Sequence, residues 1–157
     1  MNRRSLLALA LLAPAAAFAH PITGPQPPLP SAPLTIIGAG GAAHRFQVEI
    51  ARSKHEQTVG LMFRPTVAAD GGMLFPWPRP IISRMWMKNT LVPLDMVFIG
   101  ADGRIDSILT DTVPHSLRVL SSHGKVIATL ELAGGTTARL GIAVGDKVVL
   151  PPGLAGR

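Results

Sequence analysis

Lys88, Asn89, Thr90 and Asp95 interrupt an apolar, aromatic stretch running from Met85 to Ile99, MWMKNTLVPLDMVFI. A polar group taken out of water needs a partner, so buried segments carry few of them. Lys88 supplies a cation, Asn89 and Thr90 supply neutral donors and acceptors, and Asp95 only accepts when ionised. Such a set suits a small polar or anionic ligand. Trp86 would floor the depression, and Arg64 or Arg84 would stand at its rim. The same residues also suit a purely structural role, with Asn89-Thr90 in a turn and Asp95 receiving backbone amides or pairing with Lys88 or Arg84.

Other chemistries find less support in the residues. There is no G-x-S-x-G elbow, no H-E-x-x-H, no Walker loop and no cysteine at all, so catalytic, thiol and Cys-metal signatures are missing. These absences favour a non-catalytic binding module for a small polar ligand or a partner protein. A hydrolase or transferase centred on Lys88, Asn89 and Asp95 is the alternative. Copper handling is a third reading, because thioethers favour Cu(I) and an exported chain with Met62, Met73, Met85, Met87, Met96 and His44, His55, His115, His123 has suitable donors. Met nonetheless fills irregular apolar interiors, and core packing accounts for these five. Gly38–Ala43 fits G-x-G-x-x-A, but Arg45–Ile50 after it alternates like a strand where dinucleotide binding needs a helix. No cofactor is expected.

The formal charge of +6 is scattered rather than clustered, and tyrosine is absent, which argues against a nucleic-acid partner. The N-terminus has a basic start at Asn2-Arg3-Arg4, an apolar run Ser5–Leu12 and a small-x-small site at Ala17-Phe18-Ala19. That pattern predicts a signal peptide over 1–19, a general secretory or twin-arginine route, and a periplasmic or secreted product without a membrane span. Without disulfides, the exported domain must rest on its core, for which a 47% hydrophobic composition suffices.

The elements that must position these residues are short. Residues 20–33 are proline-rich and predict a disordered tether; 34–150 predict one β-rich domain, and 151–157 a tail. Strands are expected at Leu34–Ile37, Arg45–Ile50, Gly72–Phe75, Ser83–Lys88, Asp95–Ile99, Arg104–Leu109, Lys125–Leu132 and Lys147–Leu150. Ser53-Lys54-His55-Glu56 matches a capping box and starts a short helix. A proline bend follows at Pro76–Pro80, and Thr136–Leu140 reads as a helical turn capped by Gly141. Phe46, Val48, Leu61, Met73, Phe75, Trp86, Leu94, Met96, Phe98, Ile105, Leu130 and Val148 are the expected core. The fold class is mainly β (α+β), a small barrel or rolled antiparallel sheet of seven or eight short strands with one or two short helices.

In order along the chain, Gly60-Leu61-Met62-Phe63-Arg64, Gly72-Met73-Leu74-Phe75, Trp86-Met87-Lys88-Asn89-Thr90, Pro93-Leu94-Asp95-Met96, Leu130-Glu131-Leu132, Gly141-Ile142 and Gly145-Asp146 resemble the pattern of domain-of-unknown-function family 192. These are small, often exported bacterial and archaeal proteins. The resemblance spans Phe46 to Leu150 and implies a fold family and a compartment more than a chemistry. Many relatives carry cysteines in the loop matching Thr112–Gly124. Here that loop has His115 and His123 instead, so a thiol role does not carry over.

Overall fold

The computed structural model describes residues 21–154. The expected signal peptide, its cleavage site near Ala19, His20 and the end of the tail lie outside them. The elements are β1 (Ser31–Ile37), β2 (Ala43–Ile50), α1 (Lys54–Val59), β3 (Gly71–Ile81), β4 (Arg84–Met85), β5 (Leu94–Gly100), β6 (Ile105–Leu109), β7 (Leu120–Ser121), β8 (Val126–Ala133), α2 (Thr136–Leu140) and β9 (Lys147–Val149). Seven strands form one sheet in the order β6-β5-β8-β3-β2-β1-β9, and β4 pairs with β7 apart from it. All neighbours are antiparallel except β2 and β3, which α1 joins as a parallel pair. The sheet curls until its two edges touch. Arg104 bridges to Lys147, Ile105 N–H donates to Asp146 O, and Val148 N–H donates to Gly103 O. Closure of this kind satisfies edge groups that would otherwise invite further pairing. The rolled, mainly β architecture expected from the sequence is therefore observed.

Period-two alternation sorts the side chains into two cores. Inside the curl lie Leu34, Ile36, Phe46, Val48, Leu74, Val97, Ile99, Leu130 and Leu132. On the outer face lie Met73, Phe75, Leu94, Met96 and Phe98, covered by Leu61 and Met87 from the loops. Because both faces are covered, β5 is buried at every residue, and its sequence is apolar on both faces. Each fully buried large side chain contributes about 1.5–3 kcal/mol relative to exposure. Thr129 and Glu131 of β8 share the outer face with the second core, since Leu130 between them joins the first.

Local signals act as their chemistry requires. Ser53 accepts from Glu56 N–H while the Glu56 carboxylate accepts from Ser53 N–H, closing the capping box that starts α1. Gly141 ends α2 with φ 67°, the left-handed cap conformation. Gly38–Ala42 forms the tight turn between β1 and β2, with Gly38 N–H donating to Ala42 O.

Four expectations need correction. The proline-rich stretch is docked, and β1 starts at Ser31 rather than Leu34. The buried Gln26 donates its Nε2–H to Glu56 O at 3.1 Å and to Gly60 O at 3.0 Å, and Leu29 N–H donates to Glu49 Oε2 at 2.7 Å. Proline lacks donors but tolerates extended backbone, so such a strap binds through its few non-proline groups. The bend expected at Pro76–Pro80 is instead the second half of β3. Its ladder to β8 jumps from Pro76–Ala128 to Ile81–Val126, so Pro78 and Pro80 sit where no pair calls for an N–H. The strand expected at Ser83–Lys88 shrinks to Arg84–Met85, paired with the unforeseen β7. Trp86, expected in the core, is 44% exposed, while the other eleven expected core residues are buried.

Candidate functional site

Asp95 points away from any opening. It is fully buried and accepts four hydrogen bonds: Asp111 N–H and Gly135 N–H on Oδ1, both at 3.0 Å, and Thr137 N–H at 2.8 Å and Thr137 Oγ1–H at 2.7 Å on Oδ2. Gly135, the N-cap of α2, has no side chain to offer, so Asp95 caps that helix from β5 across the sheet. Burial alone pushes its pKa up, but the donors outweigh this and hold it below the ordinary carboxylate value.

Arg64 is engaged elsewhere too. Its guanidinium grips Glu49 at 2.7 and 2.9 Å, in the fork-on-fork geometry that favours arginine. Glu49 in turn receives Leu29 N–H, so this pair fastens the N-terminal strap and the loop after α1 to β2. Asn89 takes φ 55°, its carbonyl accepts Phe63 N–H, and its Nδ2 lies 3.7 Å from Met62 Sδ. It holds two loops together. Asn89, Asp95 and Arg64 thus do not meet in one depression with Lys88.

Trp86, Lys88 and Thr90 do come together, with Arg84 beside them. They line a cleft of about 170 Å³ whose other walls are α1 and its following turn (Lys54 through Met62), Phe75 and Trp77 of β3, and Met85. Lys88 Nζ sits 5.2 Å from the Trp86 ring centroid, a cation–π arrangement that holds both at the rim. Phe75 and Trp77 stack with centroids 6.3 Å apart and form an aromatic wall. Trp77 Nε1–H is spent on Thr129 Oγ1 at 3.3 Å, and that hydroxyl also meets Ser83 Oγ at 2.9 Å.

At the base of this cleft is Glu131, which the sequence showed within the family pattern Leu130-Glu131-Leu132 but not among the candidate site residues. It is 4% exposed and lies on β8 between Met73 of β3 and Met96 of β5. Among the described residues, no hydrogen bond or ion pair reaches its carboxyl group. Desolvation pushes its pKa from 4.5 up to about 8, so the acid is neutral at pH 7. A neutral carboxyl can both donate and accept a hydrogen bond. A signal was present in the chain: Val126–Leu132 is an apolar strand with one acid, flanked by Leu130 and Leu132.

The four histidines among the described residues, His44, His55, His115 and His123, are dispersed, on β2, on α1 and in the loops before β7 and β8. Among the described residues no three His, Asp or Glu side chains gather as a metal site would require. Met62 and Met85 are the sulfur residues that line the cleft.

Among curated proteins none matches the chain. Two solved structures resemble it closely. One is a candidate transcription regulator from Sinorhizobium meliloti 1021, 40% identical, covering 79% of this chain and 96% of that one with a TM-score of 0.76. The other is a protein of unknown function from Novosphingobium aromaticivorans, also 40% identical with a TM-score of 0.76, covering 90% of this chain and 100% of that one. The model of domain-of-unknown-function family 192, described as an uncharacterized ACR, matches residues 35–150. Spanning the curled sheet and every wall of the Glu131 cleft, that match means the chain belongs to family 192.

Proposed function

We propose that this protein is an exported, non-catalytic binding module that holds a small polar ligand in the Glu131 cleft. One observation carries the reading: a buried carboxyl group without a protein partner faces an open, aromatic-walled cleft. An isolated polar group in such a place costs about 1–3 kcal/mol of stability, and a ligand that hydrogen-bonds it recovers that cost on binding. Thr90 and the rim cations Arg84 and Lys88 add directional contacts, and Phe75, Trp77 and Trp86 provide apolar area, the usual make-up of a small-molecule site. The lining holds no histidine, second carboxylate or cysteine to act with Glu131, which favours binding over a hydrolase or transferase. The alternative centre of Lys88, Asn89 and Asp95 has lost its acid to the cap of α2.

Thermal-shift screening of sugars, amino acids, small anions and Cu(I) against wild type and Trp86→Ala tests the reading. A small polar molecule should raise the melting temperature of wild type and lose most of that effect in the variant. Protection by Cu(I) alone, or by nothing, would overturn it. The export half is tested by mass spectrometry of the periplasmic fraction, where the mature chain should begin at His20; an uncleaved chain would refute it. Replacing Arg3-Arg4 by Lys-Lys stalls export only on the twin-arginine route.

A further inference from the structure

The cleft has two electrical poles, and together they describe a ligand. Glu131 stands at the base, alone. Arg84, Lys88 and Lys54 stand around the walls and rim, all exposed and none in an ion pair among the described residues. These three, from β4, the loop after it and α1, are the charged groups that line the cleft with Glu131. The strands beside it on β8 contribute Met73 and Met96, which are uncharged. No rim nitrogen lies within ion-pairing distance of the Glu131 carboxyl among the described residues, and burial pushes that group's pKa up. The acid and the cations are therefore held apart across an apolar space walled by Phe75, Trp77 and Met85.

We infer that the cleft takes a free α-amino acid with an apolar side chain, its ammonium on Glu131 and its carboxylate between Arg84 and Lys88. This rests on the binding reading above and names the ligand class of the same site. Three features of the cleft support the choice. A simple anion satisfies the rim but leaves Glu131 facing nothing it needs. A simple cation meets Glu131 but must pass and remain beside three positive side chains. A neutral sugar uses the aromatic wall and leaves both poles unmatched. Size agrees as well: at about 170 Å³ the cleft suits a single small molecule.

Binding an ammonium requires the carboxylate form, so the proton on Glu131 leaves for solvent as the ligand enters. The balance is Glu131-COOH plus ligand ammonium giving the Glu131 carboxylate–ammonium pair plus one H⁺. Affinity should therefore rise about tenfold per pH unit from about pH 6 and level off near pH 8.

Isothermal titration of the mature protein with leucine, in two buffers of different ionisation enthalpy, reads this directly. The expected result is release of close to one proton per leucine at pH 7. N-acetyl-leucine, which lacks the cation, and leucine methyl ester, which lacks the anion, should each bind at least about tenfold more weakly. Glu131→Gln should abolish proton release and weaken leucine to the level of the analogues, while Lys88→Ala should weaken leucine but not its methyl ester. N-acetyl-leucine binding as tightly as leucine, or leucine binding without proton release, would overturn the inference. If leucine gives no heat while sugars or small anions still protect in the thermal-shift screen, this inference fails and the binding reading stands. If nothing protects, both fail.

Discussion

Replacing Glu131 by Gln should shift the stability of the ligand-free protein in favour of the variant as the pH rises. The unfolded chain loses the Glu131 proton above pH 4.5, whereas burial lets the folded protein keep it to about pH 8. Below pH 4.5 both states are protonated and the group contributes nothing to the pH dependence. Between the two values the folded state binds the extra proton, so stability falls by about 1.4 kcal/mol per pH unit. The accumulated loss is about 3 kcal/mol at pH 7 and about 5 kcal/mol above pH 8. Gln keeps the shape and cannot ionise. Its amide brings a cost of its own, about 1–3 kcal/mol if its N–H groups stay unpaired, but that cost does not vary with pH. The measurement is urea unfolding of wild type and Glu131→Gln from pH 4 to pH 9, taken as a difference so that contributions common to both proteins cancel. The difference should move in favour of the variant by about 3 kcal/mol from pH 4.5 to pH 7 and flatten above pH 8. A flat difference, or one that moves toward wild type, would refute the claim that the carboxyl is buried without a partner.

Asp95→Asn should destabilise by about 2–3 kcal/mol at neutral pH, because an amide cannot accept all four donors from Asp111, Gly135 and Thr137. Since the folded Asp95 pKa is depressed, that deficit should shrink as pH falls below about 4, as a pH series of denaturant midpoints would show. Trp86→Ala should cost under about 2 kcal/mol with the ring 44% exposed, whereas Phe98→Ala, fully buried, should cost about 3–5 kcal/mol in the same assay. Gly72→Ala should cost about 1–3 kcal/mol or more, because its Cβ would overlap the Glu131 carbonyl oxygen and sit 3.0 Å from Leu132 Cδ2, prising β3 from β8. Equal stability of that variant would show that the two strands are not closely held there.

Sequence alone determines what depends on neighbours along the chain. The capping box at Ser53–Glu56, the left-handed Gly141, the turn after β1 and the alternation of β2 are each decided within a few residues, because backbone donors and dihedral preferences act locally. The density of β-like runs without any long amphipathic helix was likewise enough for a rolled β sheet, and the ordered motifs from Gly60 to Asp146 were enough for the family. The polar interruption at Lys88–Asp95 was visible as well, though not how its members divide. Tertiary structure sends Asp95 to the N-terminus of α2, about 40 residues later in sequence, and sends Arg64 back to Glu49 on β2. It also keeps Lys88 over Trp86 at the rim. The parallel pairing of β2 with β3 and the docking of Gln26 depend on partners that no local pattern names. Glu131 shows the difference most clearly. On the chain it is one acid in an apolar strand, and its ordinary carboxyl becomes a neutral one only because β3, β5 and the segment from Arg84 to Thr90 pack around it and leave it deep in a cleft, largely stripped of water.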